Sequence, residues 1–300
     1  NFIPLASPDI NADDINAVIH VLKSGMLVQG EKVLEFENKL ASYLHSDNAI
    51  AVSNGTATMH LALIALGIGK GDEVIVPAFS YVATANVVEL VGATPVFVDI
   101  DLDTFNIDES KIEAVITSKT KAIIPVHEFG LACDIQKIIL IAQKHDIAVI
   151  EDAACALGAT QNGKFAGTFG DFGSFSFHPR KAISSGEGGM ILTNNVDYAK
   201  RLRILRNHGI EMIAANMEFV EPGFNYRMTD FQAALVSSQF KRFEKIIEYK
   251  NTLASGYKNT ITNPKIELPV VPKDRIHTWQ TFHLILNEDL NRNEIIQFFQ

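Results

Sequence analysis

The sequence predicts an α/β fold, in which a large domain with a mostly parallel central sheet is followed by the beginning of a smaller α/β domain. Short apolar runs rich in β-branched residues alternate with helical patterns between residues 49 and 207. These runs are apolar throughout, which is typical of parallel strands covered by helices on both faces. Near residue 229 the alternation stops and a different rhythm follows. We therefore expect a large domain at 1–245 and the start of a small C-terminal domain at 246–300.

Two helices are predicted ahead of the first strand, as an N-terminal segment of the large domain. The first covers 12–24 and ends at Gly25, because glycine readily adopts the left-handed conformation that terminates helices. The second covers about 31–45, where apolar residues such as Phe36 and Leu40 recur at helical spacing.

Strands and helices then alternate. Strands are predicted at 49–53, 73–77, 94–100, 121–126, 147–152, 173–177 and 189–194. Helices are predicted at 56–67, 82–91 and 134–145, and again from the last of these strands to about 207. Because sites in such sheets lie at the carboxyl ends of the strands, residues that directly follow a strand are the candidates for function.

A single long helix is predicted from Thr229 to about residue 254. Thr229 and Gln232 have the spacing of a capping box, which marks a helix start. A proline-bearing segment, a strand near 279–286 and the start of another helix follow.

The composition limits the classes of partner. A net charge of −9 argues against nucleic acid or an anionic membrane surface, since both favour a basic protein. The two cysteines cannot form a disulfide framework, so we expect a reducing, cytoplasmic location. No run approaches the roughly 18 apolar residues of a membrane span, no secretory signal is visible and no metal site is predicted. The sequence lacks an initiator Met and ends inside a helical pattern, so we expect further chain at both ends.

The glycine- and serine-rich segment 167–189 contains one lysine in a setting suited to chemistry. Pro179 ends the strand before it, so Lys181 emerges on a turn with its amine free to reach a cofactor. A lysine forms an imine only when it is deprotonated, which burial or a nearby cation promotes. An exposed loop lysine is the alternative interpretation.

Asp152 ends an otherwise apolar strand. An ionised carboxylate at such a position is costly unless it is paired, and a protonated pyridine nitrogen would be a suitable partner. An N-cap role for Asp152 remains open. The neighbouring Glu151 points to the other face of the strand and is assigned to structure.

Two further segments are candidates for function: one joins a strand to a helix, and the other directly precedes a helix. In Ser53–Ala57 a helix N-terminus could bind a phosphate, with Gly55 allowing close backbone approach and Thr56 adding a hydroxyl. A turn with an N-cap explains the same residues. Asn225 and Arg227 precede the helix that begins near Thr229, and alone they indicate only a loop.

Taken together, these segments resemble the DegT/StrS family of sugar aminotransferases, which depend on pyridoxal 5′-phosphate (PLP). The matching stretches follow the family's order over essentially the whole chain: IPLASPDI, SGMLVQG, SNGTATMHLAL, VPAFSYVATAN, PVFVDID, PVHEFG, EDAACALGA, SFSFHPRKAISSGEGG and GFNYRMTDFQAAL. The resemblance implies the type I fold of aspartate aminotransferase, PLP as the cofactor and a homodimer.

The resemblance also implies roles at the cofactor ring. Lys181 matches the Schiff-base lysine, Asp152 the acid that pairs with the pyridine nitrogen, and Tyr81 the aromatic residue stacked on the ring. Many members have Gln near the ring hydroxyl, where this chain has Cys155, a poorer hydrogen-bond partner. His178 is a candidate for positioning the substrate or the phosphate, and a structural histidine in a tight turn is the alternative.

For the phosphate, the resemblance implies backbone amides of Thr56 and Ala57, beside Gly55, together with the hydroxyl of Ser176. It implies that Asn225 reaches the phosphate bound in the partner subunit.

The reaction that the resemblance implies moves an amino group from an amino acid, with L-glutamate expected, to the keto group of a nucleotide-linked deoxy sugar. Freed Lys181 moves the proton, and Arg227 is a candidate for the donor carboxylate or the sugar pyrophosphate. Met26 replaces a tryptophan common near the substrate. Two alternatives stay open: an aminotransferase for a non-nucleotide cyclic ketone of the inosose type, and a non-catalytic regulatory protein with the same fold. Retention of Lys181 and Asp152 weighs against the second.

Overall fold

This computed structural model describes residues 6–299, so the first residues of the IPLASPDI stretch, 3–5, lie outside the described part. The helices are α1 (Ala12–Ser24), α2 (Glu31–Leu44), α3 (Gly55–Ala65), α4 (Ala83–Leu90), α5 (Ile135–His145), α6 (Val196–Leu205), α7 (Asp230–Phe240), α8 (Phe243–Thr260) and α9 (Arg292–Phe299). The strands are β1 (Asn48–Val52), β2 (Glu73–Pro77), β3 (Thr94–Val98), β4 (Thr120–Ile123), β5 (Ala148–Asp152), β6 (Thr160–Gln161), β7 (Lys164–Phe165), β8 (Phe172–Ser176), β9 (Gly189–Thr193), β10 (Ile210–Ile213), β11 (Asn216–Phe219), β12 (Ile266–Glu267), β13 (Arg275–Ile276) and β14 (Ile285–Leu286).

The main sheet of residues 6–299 has seven strands in the order β1-β9-β8-β5-β4-β2-β3. From β8 to β3 all neighbours are parallel, and β9 runs antiparallel to both β8 and β1. The prediction of a mostly parallel sheet is therefore confirmed. The order also brings the ends of β8, β5 and β4 side by side, which decides where a site can form.

Helices cover both faces of the sheet, as the continuously apolar strands predict. Alternate residues of β1 enter opposite layers: Ala51 packs with Phe36 of α2, and Ile50 packs with Leu61 of α3. Full burial of a side chain such as Phe36 contributes roughly 1.5–3 kcal/mol. The two apolar layers hold the sheet rigid beneath the strand ends.

The start of α2 depends on a carboxylate from far along the chain. Gly30 is its N-cap and has no side chain to accept from the free amides. Asp230, the first residue of α7, accepts from the amides of Gly30 at 2.8 Å and Val33 at 3.1 Å. A buried acid thus satisfies helix N–H groups that would otherwise lack partners.

The prediction of one long helix from Thr229 to residue 254 is wrong in its extent. The capping box of Thr229 and Gln232 is present, but α7 ends at Phe240 and α8 begins at Phe243. Arg242 leaves the helical conformation, and its guanidinium donates to the Asp14 carboxylate of α1 at 2.8 and 2.9 Å. That ion pair and the packing around it favour a break that local sequence does not reveal.

The strand predicted near 279–286 is also mostly wrong, since only Ile285–Leu286 is a strand. Trp279 has a φ of 51°, which no strand accommodates, and its ring stacks on His277 at 3.8 Å. Residue 245 lies within α8, and β13 pairs with β6 of the preceding part of the chain. The domain division at 245 stays a prediction. Within residues 6–299, no helix combines the length and apolar character needed to cross a membrane.

Candidate active site

Lys181 lies on a tightly bonded turn that follows β8. Its amide donates to the His178 carbonyl at 2.8 Å, and Ser184 and Ser185 both donate to the Phe177 carbonyl at 3.0 Å. The side chain of Lys181 is partly buried, and its Nζ donates to Cys155 Sγ at 3.1 Å. The predicted turn is present, and its lysine points towards the residues that follow β5 instead of into solvent.

Asp152 ends β5, is 6% exposed, and is held by neutral donors. Thr84 Oγ1 donates to Oδ2 at 2.9 Å, and the Ala154 amide donates to Oδ1 at 3.1 Å. The second bond is the local turn contact that an N-cap interpretation requires, whereas the first comes from α4. Neither donor carries charge, so a cationic ring nitrogen is a chemically suited partner for this buried carboxylate.

Glu128 is a member of this cluster that the sequence did not single out. It follows β4, is 7% exposed, and its Oε1 is buried without a hydrogen-bond partner. Burial raises its pKa to about 8, the charge of Asp152 adds to the rise, and Lys181 opposes it. Burial also raises the pKa of the Cys155 thiol, again against the effect of Lys181. The signal in the sequence was an acid at the second position after an apolar run, in PVHEFG.

The start of α3 lies against the end of β8. Asn54 caps the helix by accepting from the Ala57 amide at 2.8 Å, which is the N-cap that the turn-and-cap interpretation predicts. A Cβ on Gly55 would lie 2.8 Å from Ser176 Cβ, so glycine is what allows the Ser176 hydroxyl to approach the helix N-terminus. Thr56 is exposed beside them. The positive end of the helix dipole, the Thr56 amide and the Ser176 hydroxyl together suit a phosphate, whereas the Ala57 amide is engaged by Asn54.

The other predicted site residues are exposed or make only contacts outside the cluster of Lys181, Cys155 and Asp152. Tyr81 is 79% exposed in the loop that leads into α4. His178 makes local turn contacts, with Nδ1 accepting from the Arg180 amide at 3.3 Å. Asn225 is exposed, and Arg227 donates to Asn207 Oδ1 at 2.6 Å.

The segment that carries Asn225 runs beside the end of β1. The Tyr226 carbonyl accepts from the Ser53 amide at 2.8 Å, and Arg227 forms a backbone bridge with Val52. The structure thus brings this segment next to the loop that opens α3.

Glu151, which points to the face of β5 opposite to Asp152, has the structural role that the sequence predicted. Its carboxylate accepts from His127 Nε2 at 2.9 Å and from the amides of Gly167, Phe169 and Gly170 at 2.6–2.8 Å. Four donors leave it no capacity for a ligand, and they fix the loop ahead of β8.

Comparison with known proteins gives one consistent result. The model of the DegT/DnrJ/EryC1/StrS aminotransferase family matches residues 8–300. The chain is 41% identical over 302 residues to GDP-perosamine synthase of Caulobacter vibrioides, covering 98% of this chain and 81% of that protein. It is 38% identical to the spore coat polysaccharide biosynthesis protein SpsC of Bacillus subtilis, covering 99% and 79%. Among solved structures, the PLP form of Spr1654 from Streptococcus pneumoniae superposes with a TM-score of 0.94 at 32% identity, covering 99% of this chain and 82% of that one.

Proposed function

Because this chain belongs to the DegT/DnrJ/EryC1/StrS aminotransferase family, we propose that it moves an amino group from L-glutamate to the keto group of a nucleotide-linked deoxy sugar. The chain is a PLP-dependent sugar aminotransferase. The nucleotide-linked acceptor is supported by the name of its relative GDP-perosamine synthase. The observation that carries the assignment to residues is that Lys181, on the turn after β8, donates to Cys155, which follows Asp152 at the end of the adjacent strand β5.

The residues present fit PLP. An amine, a buried carboxylate with neutral donors and a helix N-terminus beside a hydroxyl correspond to the aldehyde, the ring nitrogen and the phosphate of that molecule. When bound, PLP supplies an electron sink that stabilises negative charge on the carbon next to the transferred nitrogen.

With PLP bound, Lys181 would hold it covalently through its amine, and the free Nζ of Lys181 would take the proton from the donor α-carbon. Asp152 keeps the ring nitrogen protonated, because its carboxylate gains a cationic partner only in that state. Ping-pong kinetics are expected, because the keto product of the donor leaves before the sugar binds and the amino group stays on the enzyme between the two half-reactions.

Binding and orientation fall to the surrounding residues. We assign the phosphate to the backbone amides of Thr56 and Ala57 and to the Ser176 hydroxyl, with Gly55 permitting their approach. The Ala57 amide would exchange its hydrogen bond to Asn54 for one to the phosphate. Tyr81, exposed at the opening, stacks on the ring.

His178 and Arg227 are candidates for holding the substrate, and exposed Met26 is a candidate for bordering the sugar.

We assign a homodimer in which Asn225 reaches the phosphate in the partner. Asn225 is exposed, as a residue that serves a second subunit must be. Ile15, Ile19 and Leu22 of α1 present exposed apolar surface that dimer formation would bury. We assign the enzyme to the cytoplasm because Cys133 and Cys155 are both unpaired.

The test is a two-stage spectral experiment on the PLP-loaded protein. L-Glutamate alone should abolish the colour of the lysine-bound cofactor, and after removal of free amino acid a keto nucleotide sugar should restore absorbance. A panel of such sugars identifies the acceptor, and an inosose-type ketone serves as the comparison. Recovery only with the inosose would overturn the proposed acceptor, and a protein that no amino acid bleaches would overturn the proposed reaction. Lys181→Arg, which keeps the charge, is the matched control and should show neither change.

A further inference from the structure

Glu128 combines three properties that a structural carboxyl does not share. It is 7% exposed, its Oε1 has no hydrogen-bond partner, and it lies close enough to Asp152 and Lys181 for their charges to act on its pKa. Its backbone is fixed, since its amide donates to Asn106 Oδ1 at 2.9 Å. A buried oxygen without a partner costs about 1–3 kcal/mol, so a bound group that supplies the partner recovers that cost.

The strand order shows which side of the site Glu128 occupies. Asp152 lies between two neighbours. Ser174 of β8 is its register partner on one side, and on the other side the backbone amide of His127 donates to the Asp152 carbonyl at 3.0 Å. Ser176 lies on the β8 side, and Glu128 follows His127 on the β4 side. The proposed phosphate site and Glu128 therefore flank Asp152 from opposite directions.

The chemistry of PLP then fixes what faces Glu128. In that molecule the ring nitrogen lies across the ring from the carbon bound to lysine, and the phosphate arm and the ring hydroxyl occupy the two opposite sides. With the nitrogen at Asp152 and the phosphate on the β8 side, the hydroxyl would be directed to the β4 side. Cys155 is the other nearby group, but its sulfur is engaged by Lys181 Nζ, and a thiol is a weak donor.

We propose that Glu128 is a cofactor-binding residue whose carboxylic acid donates a hydrogen bond to the ring hydroxyl oxygen of PLP, the contact that Cys155 makes poorly. This inference rests on the PLP site proposed above. Its elevated pKa of about 8 keeps the proton on Glu128 near neutral pH, so a donor is present. The groups that act on this carboxyl are Asp152, Lys181 and Ser80.

The test measures PLP affinity directly, by titrating the apo protein with PLP and following protein fluorescence. One hydrogen bond of this kind corresponds to roughly a fivefold to tenfold change in affinity. Glu128→Leu should weaken PLP binding by that factor, whereas Glu128→Gln, which keeps a donor, should bind within about twofold of the wild type. Glu89→Gln on the exposed face of α4 is the control for loss of an acid elsewhere and should change nothing.

A double-mutant cycle identifies the target of the bond. Cys155→Gln supplies a second donor next to the same oxygen, so adding Glu128→Leu to Cys155→Gln should cost less than about twofold. The absorption maximum of lysine-bound PLP should shift in Glu128→Leu and return in the double variant. Glu128→Ala replaces the leucine variant if the latter does not fold.

The outcomes separate the two proposals. This inference alone is overturned if the wild type binds PLP at Lys181 and Glu128→Leu binds it equally well. It is also overturned if Glu128→Leu weakens PLP binding by the same factor in the wild type and in Cys155→Gln. If the wild type takes up no PLP, the proposed site is overturned and this inference with it.

Discussion

Replacement of Glu128 by glutamine should make the protein more stable, and increasingly so as the pH rises. Glu128→Gln keeps the shape of the side chain and removes its proton equilibrium. In the folded chain burial raises the pKa of Glu128 from its ordinary value of 4.5 to about 8, with the charge of Asp152 adding to the rise. Between those two values the unfolded chain loses a proton that the folded chain retains.

The sign and size follow from that difference. The folded state binds more protons, so the free energy of unfolding of the wild type falls by about 1.4 kcal/mol per pH unit across this interval. The stabilising contribution is complete below about pH 4.5 and lost by about pH 8, for a total of about 5 kcal/mol. The variant lacks this loss, so its stability relative to the wild type should rise by the same slope.

The assay is urea unfolding of both apo proteins at several pH values from about 5 to 8. Using the difference between the two proteins removes the titration of all other groups that they share. A difference that does not change with pH would refute the reasoning, because it would mean that Glu128 ionises alike in the folded and unfolded chains.

Further substitutions test the site and the packing. Lys181→Arg should lower transamination by roughly a thousandfold or more in a coupled assay, since arginine stays charged and cannot act as base; activity within tenfold of the wild type would contradict the role. Arg206→Met leaves Glu37 unpaired in the core and should cost about 3–5 kcal/mol in urea unfolding, largely recovered by adding Glu37→Gln; an unchanged midpoint would contradict the buried pair. Gly173→Ala would put a Cβ 1.9 Å from a backbone oxygen and should abolish soluble expression, whereas Gly256→Ala, with open space, should stabilise α8 by about 0.5–1 kcal/mol.

The central sheet could be predicted because its strands carry their own signal. A continuous apolar run with turn residues on either side fixes β5 and its end at Asp152, whatever lies beside it. The break between α7 and α8 could not be predicted in this way. The break is favoured by the ion pair between Arg242 and Asp14, which are more than two hundred residues apart in sequence. The local helix propensity at 241–242 gives no indication of that contact.

Some residues of the candidate site could likewise be predicted from local sequence, whereas the roles of others depend on three-dimensional contacts. Lys181 is distinguished by its glycine- and serine-rich setting after Pro179, and Asp152 by its position at the end of an apolar strand. Glu128 also comes soon after an apolar strand, but its role depends on β4 lying next to β5 and on the environment that raises its pKa. The engagement of Cys155 by Lys181 likewise needs three-dimensional proximity, since the resemblance pointed only to a position.

Borohydride reduction followed by peptide mass spectrometry tests most directly whether Lys181 carries PLP. The purified protein, loaded with PLP, should be yellow, lose that colour on reduction, and yield a single modified peptide with the cofactor mass on Lys181. Lys181→Arg should yield no modified peptide under the same treatment. A reduced cofactor found on another lysine, or a wild-type protein that stays colourless with excess PLP, would contradict the account.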